Sequence, residues 1–139
     1  KDIFGETAEK IDTIPLFNAP VISSQNSEQA VLSAANLLEQ SGWIDSDNDG
    51  IREKNGEKLE FSLFAASYPP FMQIAEILKS SWSKIGANII INIKTSSEIN
   101  KLIENRSYDA LLFGQILGTD PDPYAFWHSS QKNYPGLNL

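Results

Sequence analysis

The chain has 139 residues, no cysteine and a formal net charge of -7, with 18 acidic residues against 11 basic ones. That balance repels phosphate backbones and anionic lipid faces, so it argues against nucleic-acid binding and membrane adsorption. The missing thiols exclude disulfides, thiolate catalysis and thiolate metal sites, and no apolar run reaches the ~18 residues of a membrane helix. The length suits one domain with a real core, and 41% apolar with 21% charged residues is an ordinary globular composition.

Residues 1–25 are broken by Pro15 and Pro20 and rich in turn formers, which predicts an irregular lead-in, either wrapped on another surface or free. No secretory leader is visible at Lys1-Asp2-Ile3-Phe4. The spacing of Ala30, Val31, Ala34, Leu37 and Leu38 predicts a helix over 27–41, capped by Asn26 with Gln29 as the capping-box partner. Gly42 ends it, and Trp43 can fold back on its last turn. Asn55-Gly56 predicts a tight hairpin whose return strand runs over 57–66, with Leu59, Phe61 and Leu63 on one side.

Pro69-Pro70 precede a second helix, expected over 71–85, with Ile74, Ile77, Leu78, Trp82 and Ile85 as its apolar face and Gly86 after it. Asn88–Lys94 reads as a strand buried on both faces. Thr95 and Glu98 form a capping box for a short helix carrying Ile99, Leu102 and Ile103. Tyr108–Gly114 then reads as another buried strand. Alternating strands and helices predict an α/β unit with right-handed crossovers and helices covering a sheet. No internal repeat is present, so the expected division is the lead-in, 1–25, and one partial α/β lobe, 26–139.

Four stretches carry candidate chemistry. Asp45, Asp47 and Asp49 stand at alternate positions before Gly50, as in a calcium loop, but the twelfth place is Gly56 where a bidentate Glu belongs. The simpler reading is a solvated acidic turn. Asp120 and Asp122 could serve as paired carboxylates, yet the flanking prolines separate them and Asp122 can cap a helix beginning at Pro123. Asp120 is the freer group, able to meet a ligand ammonium or backbone N–H at the carboxyl end of a strand, where ligand crevices form. His128 is the only histidine and lacks the partners of a triad or zinc site. Of the cluster Tyr124, Phe126 and Trp127, Trp127 is the candidate pocket wall, whereas Trp43 and Trp82 read as packing. No Gly-rich phosphate loop exists.

The ordered series resembles the carboxy-terminal part of the bacterial extracellular solute-binding proteins, family 5, which serve peptide and nickel importers. It comprises Asn26–Trp43, the Asp47–Gly50 and Lys54–Gly56 turns, Leu59–Ala66, Phe71–Gly86, Ile89–Lys94, Tyr108-Asp109, Gly114 and Asp120-Pro121-Asp122-Pro123. The resemblance implies one lobe of a type II periplasmic-binding-protein clamshell within a chain several times longer. It also implies a periplasmic or lipid-anchored location, an ABC permease as partner, and capture of an oligopeptide-like solute without catalysis or cofactor. Peptide-binding relatives carry a Trp and then an Asp after the Tyr-Asp strand. Here Gln115 holds the Trp position and no carboxylate precedes Asp120. The expected ligand contacts are therefore Gln115, Thr119, Asp120 and Trp127, and a sugar or nickel complex is an alternative solute. The rival readings are a stand-alone interaction domain, a hydrolase using Asp120 or Asp122, and a small calcium module.

Overall fold

The computed structural model describes residues 27–114, 124–133 and 135–138. The lead-in over 1–25 and the cap at Asn26 lie outside the described residues.

Helix α1 spans Ser27–Gln40. It ends as its sequence demands: Gly42 takes φ 87° and the Trp43 N–H reaches back 2.9 Å to the Leu38 carbonyl. The hairpin follows, with β1 (Glu53–Lys54) and β2 (Glu57–Lys58) paired antiparallel, Lys54 opposite Glu57. Asn55 and Gly56 have φ 56° and 84°, the double positive φ of a primed turn that matches strand twist.

The expected single return strand is two strands. It breaks at Leu59, whose N–H still bonds the Arg52 carbonyl at 2.7 Å, and the chain then enters a different sheet as β3 (Glu60–Ala66). That sheet is three-stranded, in the order β4-β3-β5, with β4 at Asn88–Lys94 and β5 at Ala110–Leu112. Both neighbours run parallel to β3, Phe61 opposite Ile89 and Phe64 opposite Leu111. Helix α2 (Pro69–Ser83) links β3 to β4, and α3 (Ser96–Asn105) links β4 back across β3 to β5. The two crossovers travel in opposite directions. With the right hand that parallel connections adopt, they place α2 and α3 on opposite faces. The packing agrees: the α2 face holds Leu63, Ala65, Ala75, Ala87 and Ile89, and buried Ile99 of α3 lies outside that cluster.

Two expectations are corrected here. The centre of the α2 face is Ala75, fully buried, with Leu78, Trp82 and Ile85 packed around it; Ile77 points outward. Ile77 stands two residues from Ala75, about 200° around a helix, so the stripe that includes one excludes the other. Strand β4 is an edge strand with one well-covered face: Ile89 is buried, while Ile90 is 44% exposed. Its apolar run reflects β-propensity as much as burial.

The capping box of α3 is complete. The Glu98 carboxylate accepts the Thr95 N–H at 2.8 Å, and the Thr95 hydroxyl accepts the Glu98 N–H at 3.4 Å. The Thr95 N–H, then its hydroxyl, hold the Glu98 carboxyl below its ordinary value of 4.5. A carboxyl with a lowered folded pKa stabilises the fold above its unfolded value and loses that contribution as pH falls through the lowered value. Glu98→Gln should therefore lower the melting temperature at neutral pH, and the gap to the wild type should close as the pH falls below 4.5 in a pH series of thermal melts. A gap that persists unchanged into acid would contradict this.

Candidate functional site at the carboxyl edge of the sheet

In a parallel sheet whose connections leave on opposite faces, the crevice opens beyond the carboxyl ends of the strands at the point where the order reverses. Here that point lies beyond β3 and β5. From β3 it receives Ser67, Tyr68 and the start of α2; from β5 it receives Phe113 and Gly114. Ser67 is tied down by its N–H to the Lys94 carbonyl at 2.8 Å. Tyr68 is the N-cap residue of α2 and makes no side-chain cap bond; its phenol is not a capping group, and Pro69 and Pro70 at the first helical positions have no N–H to satisfy. Its ring is 52% exposed and meets Phe71 edge to face, centroids 5.4 Å apart at 89°.

Phe71 in turn sits over Gly114. A methyl group at Gly114 would lie 2.8 Å from the Phe71 ring tip, closer than real carbon contacts allow. Glycine at 114 lets α2 and the end of β5 close on each other, and that contact sets where the chain leaves the sheet toward Gln115. Phe113 is 42% exposed at the same edge. Upstream, the Tyr108-Asp109 motif braces the sheet. The Asp109 carboxylate accepts the Ser62 N–H at 2.9 Å, satisfying β3 just before the β5 ladder begins at Ala110.

Of the expected contacts, Gln115, Thr119 and Asp120 lie outside the described residues, as do Asp122 and Pro123. Trp127 ends α4 (Tyr124–Trp127) and is 60% exposed. His128 is a local structural residue: its ring stacks on Tyr124 at 4.5 Å and its Nδ1 accepts the Ser130 N–H at 3.2 Å, capping a single 3-10 turn over Ser129–Gln131. Tyr68 and Phe71 were missed by sequence reasoning. The available signal was their place at the start of α2, directly after β3, the strand that becomes the sheet's centre.

The acidic loop lies at the opposite edge. The Arg52 N–H bonds the Gly86 carbonyl and the Asn88 N–H bonds the Leu59 carbonyl, which fixes the hairpin at the amino ends of β3 and β4. Seven residues of β3 separate the two edges, roughly 20 Å. Oxygens of Asp45, Asp47, Asp49 and Glu53 lie within 4.8 Å of one another. Each of these residues also accepts a backbone N–H: from Gly50, Asp49, Ile51 and Ser46 respectively. The Lys58 ammonium sits on Asp49; that bond, then the Ile51 N–H, hold the Asp49 carboxyl below its usual range, and Asp49 raises Lys58. An open groove of about 320 Å³ beside this loop has Glu39, Asp45, Arg52 and Lys84 in its walls. The Arg52 guanidinium is committed there to the Trp43 and Ile85 carbonyls, at 2.8 and 3.0 Å.

A parallel α/β sheet with reversed strand order, flanked by helices, is the architecture of one lobe of a type II periplasmic binding protein. The model of the bacterial extracellular solute-binding proteins, family 5 Middle, matches residues 1–136, and the chain belongs to that family. The oligopeptide-binding protein AppA of Bacillus subtilis (strain 168) is 36% identical over 112 residues, 76% of this chain and 20% of AppA. The nickel-binding periplasmic protein of Escherichia coli (strain K12) is 30% identical over 118 residues, 84% of this chain and 22% of its own. The structure of B. subtilis AppA in complex with a nonapeptide matches with a TM-score of 0.74 at 28% identity, over 91% of this chain and 25% of that one. The chain thus spans about a fifth of the length of the curated relatives it matches. Among the described residues, no helix is long and apolar enough to cross a membrane.

The Phe71–Gly114 contact makes a direct prediction. Gly114→Ala should destabilise the fold by about 1–3 kcal/mol, the usual cost of overpacking. In a Phe71→Leu background, where the ring is gone, the same change should cost distinctly less. Urea titration of the four proteins in this cycle measures the coupling, and additive costs would show that the ring does not restrain Gly114.

Proposed function

We propose that this chain supplies one wall of the ligand cleft in an extracytoplasmic solute-binding protein, which captures an oligopeptide-like solute and hands it to an ABC permease. The observation that supports this is the strand order: within a solute-binding family, the reversal at β3 and β5 puts Tyr68, Phe71, Phe113 and Gly114 at the carboxyl edge, where sheets of this kind take their ligands. Family membership supports capture without turnover, and a location outside the cytoplasmic membrane, periplasmic or lipid-anchored.

The solute would bridge this lobe and a second one from the remainder of the protein, favouring the closed form through its greater affinity for that form. Backbone groups would hold an extended peptide main chain. Gln115, Thr119 and Asp120, which follow Gly114 in sequence, and Trp127 on α4 are the proposed contacts beyond the described edge. An oligopeptide is favoured over a nickel complex on two grounds. AppA is the more similar of the two curated relatives, and the described edge residues Ser67, Tyr68, Phe71, Phe113 and Gly114 include no carboxylate or imidazole.

The test is the small molecule carried by the complete protein purified from its own host. After denaturation, mass spectrometry of the released material should show a ladder of short peptides. A single sugar or a metal complex would replace the solute, and a complete protein that carries nothing and ignores peptide and sugar libraries would overturn solute capture.

A further inference from the structure

Two stretches without a single ionisable Asp, Glu, Lys, Arg or His meet at the carboxyl edge: residues 61–75 and 110–114. Their described ends place there an exposed Tyr68 ring, the Phe71 ring braced beneath it and the bare backbone of Gly114. Charge is common elsewhere on this acidic chain, including the whole opposite edge of the sheet at Asp45, Asp47, Asp49 and Glu53. Tyr68 neither caps its helix nor lies in the core-side cluster, and its ring packs on Phe71 at this edge.

We infer that Tyr68, held upright by Phe71 against Gly114, is a specificity-determining shelf that takes an uncharged apolar or aromatic side chain of the captured peptide and disfavours a charged one. Three physical points support this occupant. The shelf offers a flat ring face and edge at low entropy cost, the arrangement that suits ring and alkyl groups. The charged residues described nearest on this edge, Lys94 and Glu98, pair with each other at 3.7 Å, so a buried lysine or glutamate side chain would be desolvated without a free partner. The Tyr68–Phe71 geometry fixes the ring before ligand arrives, so little ordering remains to be done on binding. Tyr68 is then a residue that ranks peptides, while main-chain contacts elsewhere hold all of them.

This inference rests on the peptide reading above, and its test separates the two. The complete protein would be titrated calorimetrically with alanine peptides of one fixed length, and with the same peptides carrying a single Phe or a single Lys at each position in turn. The wild type should prefer Phe over Lys at one position by roughly ten-fold, the worth of burying a large apolar side chain. Tyr68→Ala should lower the affinity for the Phe peptide at that position more than for the Lys peptide and so erase the preference, and Tyr68→Phe should restore it. Tyr68→Phe keeps the edge-to-face pair with Phe71 and should melt close to the wild type, and a thermal melt of Tyr68→Ala, which loses that pair, checks that it is folded at the titration temperature. Peptide binding with a preference that survives Tyr68→Ala, or an equal loss for every peptide, overturns the shelf and leaves peptide capture standing. Failure of every peptide to bind the wild type overturns both.

Discussion

Strand β3 pairs in parallel on both of its edges, and that double pairing dictates where everything else lies. A parallel neighbour cannot be reached by a tight turn, so each connection must be a crossover carrying a helix. One crossover leads outward to β4 and the next returns over β3 to β5, so the helices are driven to opposite faces. Two alanines, Ala65 on β3 and Ala75 on α2, are fully buried at the centre of the first face and let helix and sheet approach closely. The same reversal puts the carboxyl ends of β3 and β5 side by side at the point where the two connections part.

The two edges of the sheet divide the work. The amino edge is braced by charge and hydrogen bonds. Arg52 alone ties together the turn after α1, the hairpin and the end of α2, through the Trp43, Ile85 and Gly86 carbonyls. The acidic loop beside it is spanned by its own backbone amides and by Lys58, so its carboxylates have structural occupations irrespective of any cation. The carboxyl edge is built the other way, from rings and a glycine with no charged side chain among Ser67–Met72 and Leu111–Gly114.

Local features of this fold were legible from residues alone. The Asn55-Gly56 turn, the bounds of β4, the Thr95–Glu98 box and the helix ending at Gly42 each depend on a few neighbours in sequence. What failed depended on pairing between distant segments. Leu59 ends one strand and precedes another because Arg52 and Asn88 claim its two backbone groups. Ile90 is exposed because it points to the face of β4 away from α2, whose cluster covers Ile89 and Ile91, which strand periodicity alone does not reveal. Periodicity centres the apolar face of α2 on the larger Ile74 and Ile77, whereas close packing on the sheet selects Ala75. The site suffers similarly: sequence points to the loop after β5, and Tyr68 becomes visible as its counterpart only once β3 is known to lie beside β5.

The most direct test of the carboxyl edge as the ligand face is amide hydrogen exchange of the complete protein, with and without the solute released from it. Ligand should slow exchange in peptides covering residues 63–72 and 110–115, and leave the acidic loop and hairpin, residues 45–58, unchanged. Protection gained over 45–58 with none at the carboxyl edge would contradict the assignment and move the binding face to the opposite end of the sheet.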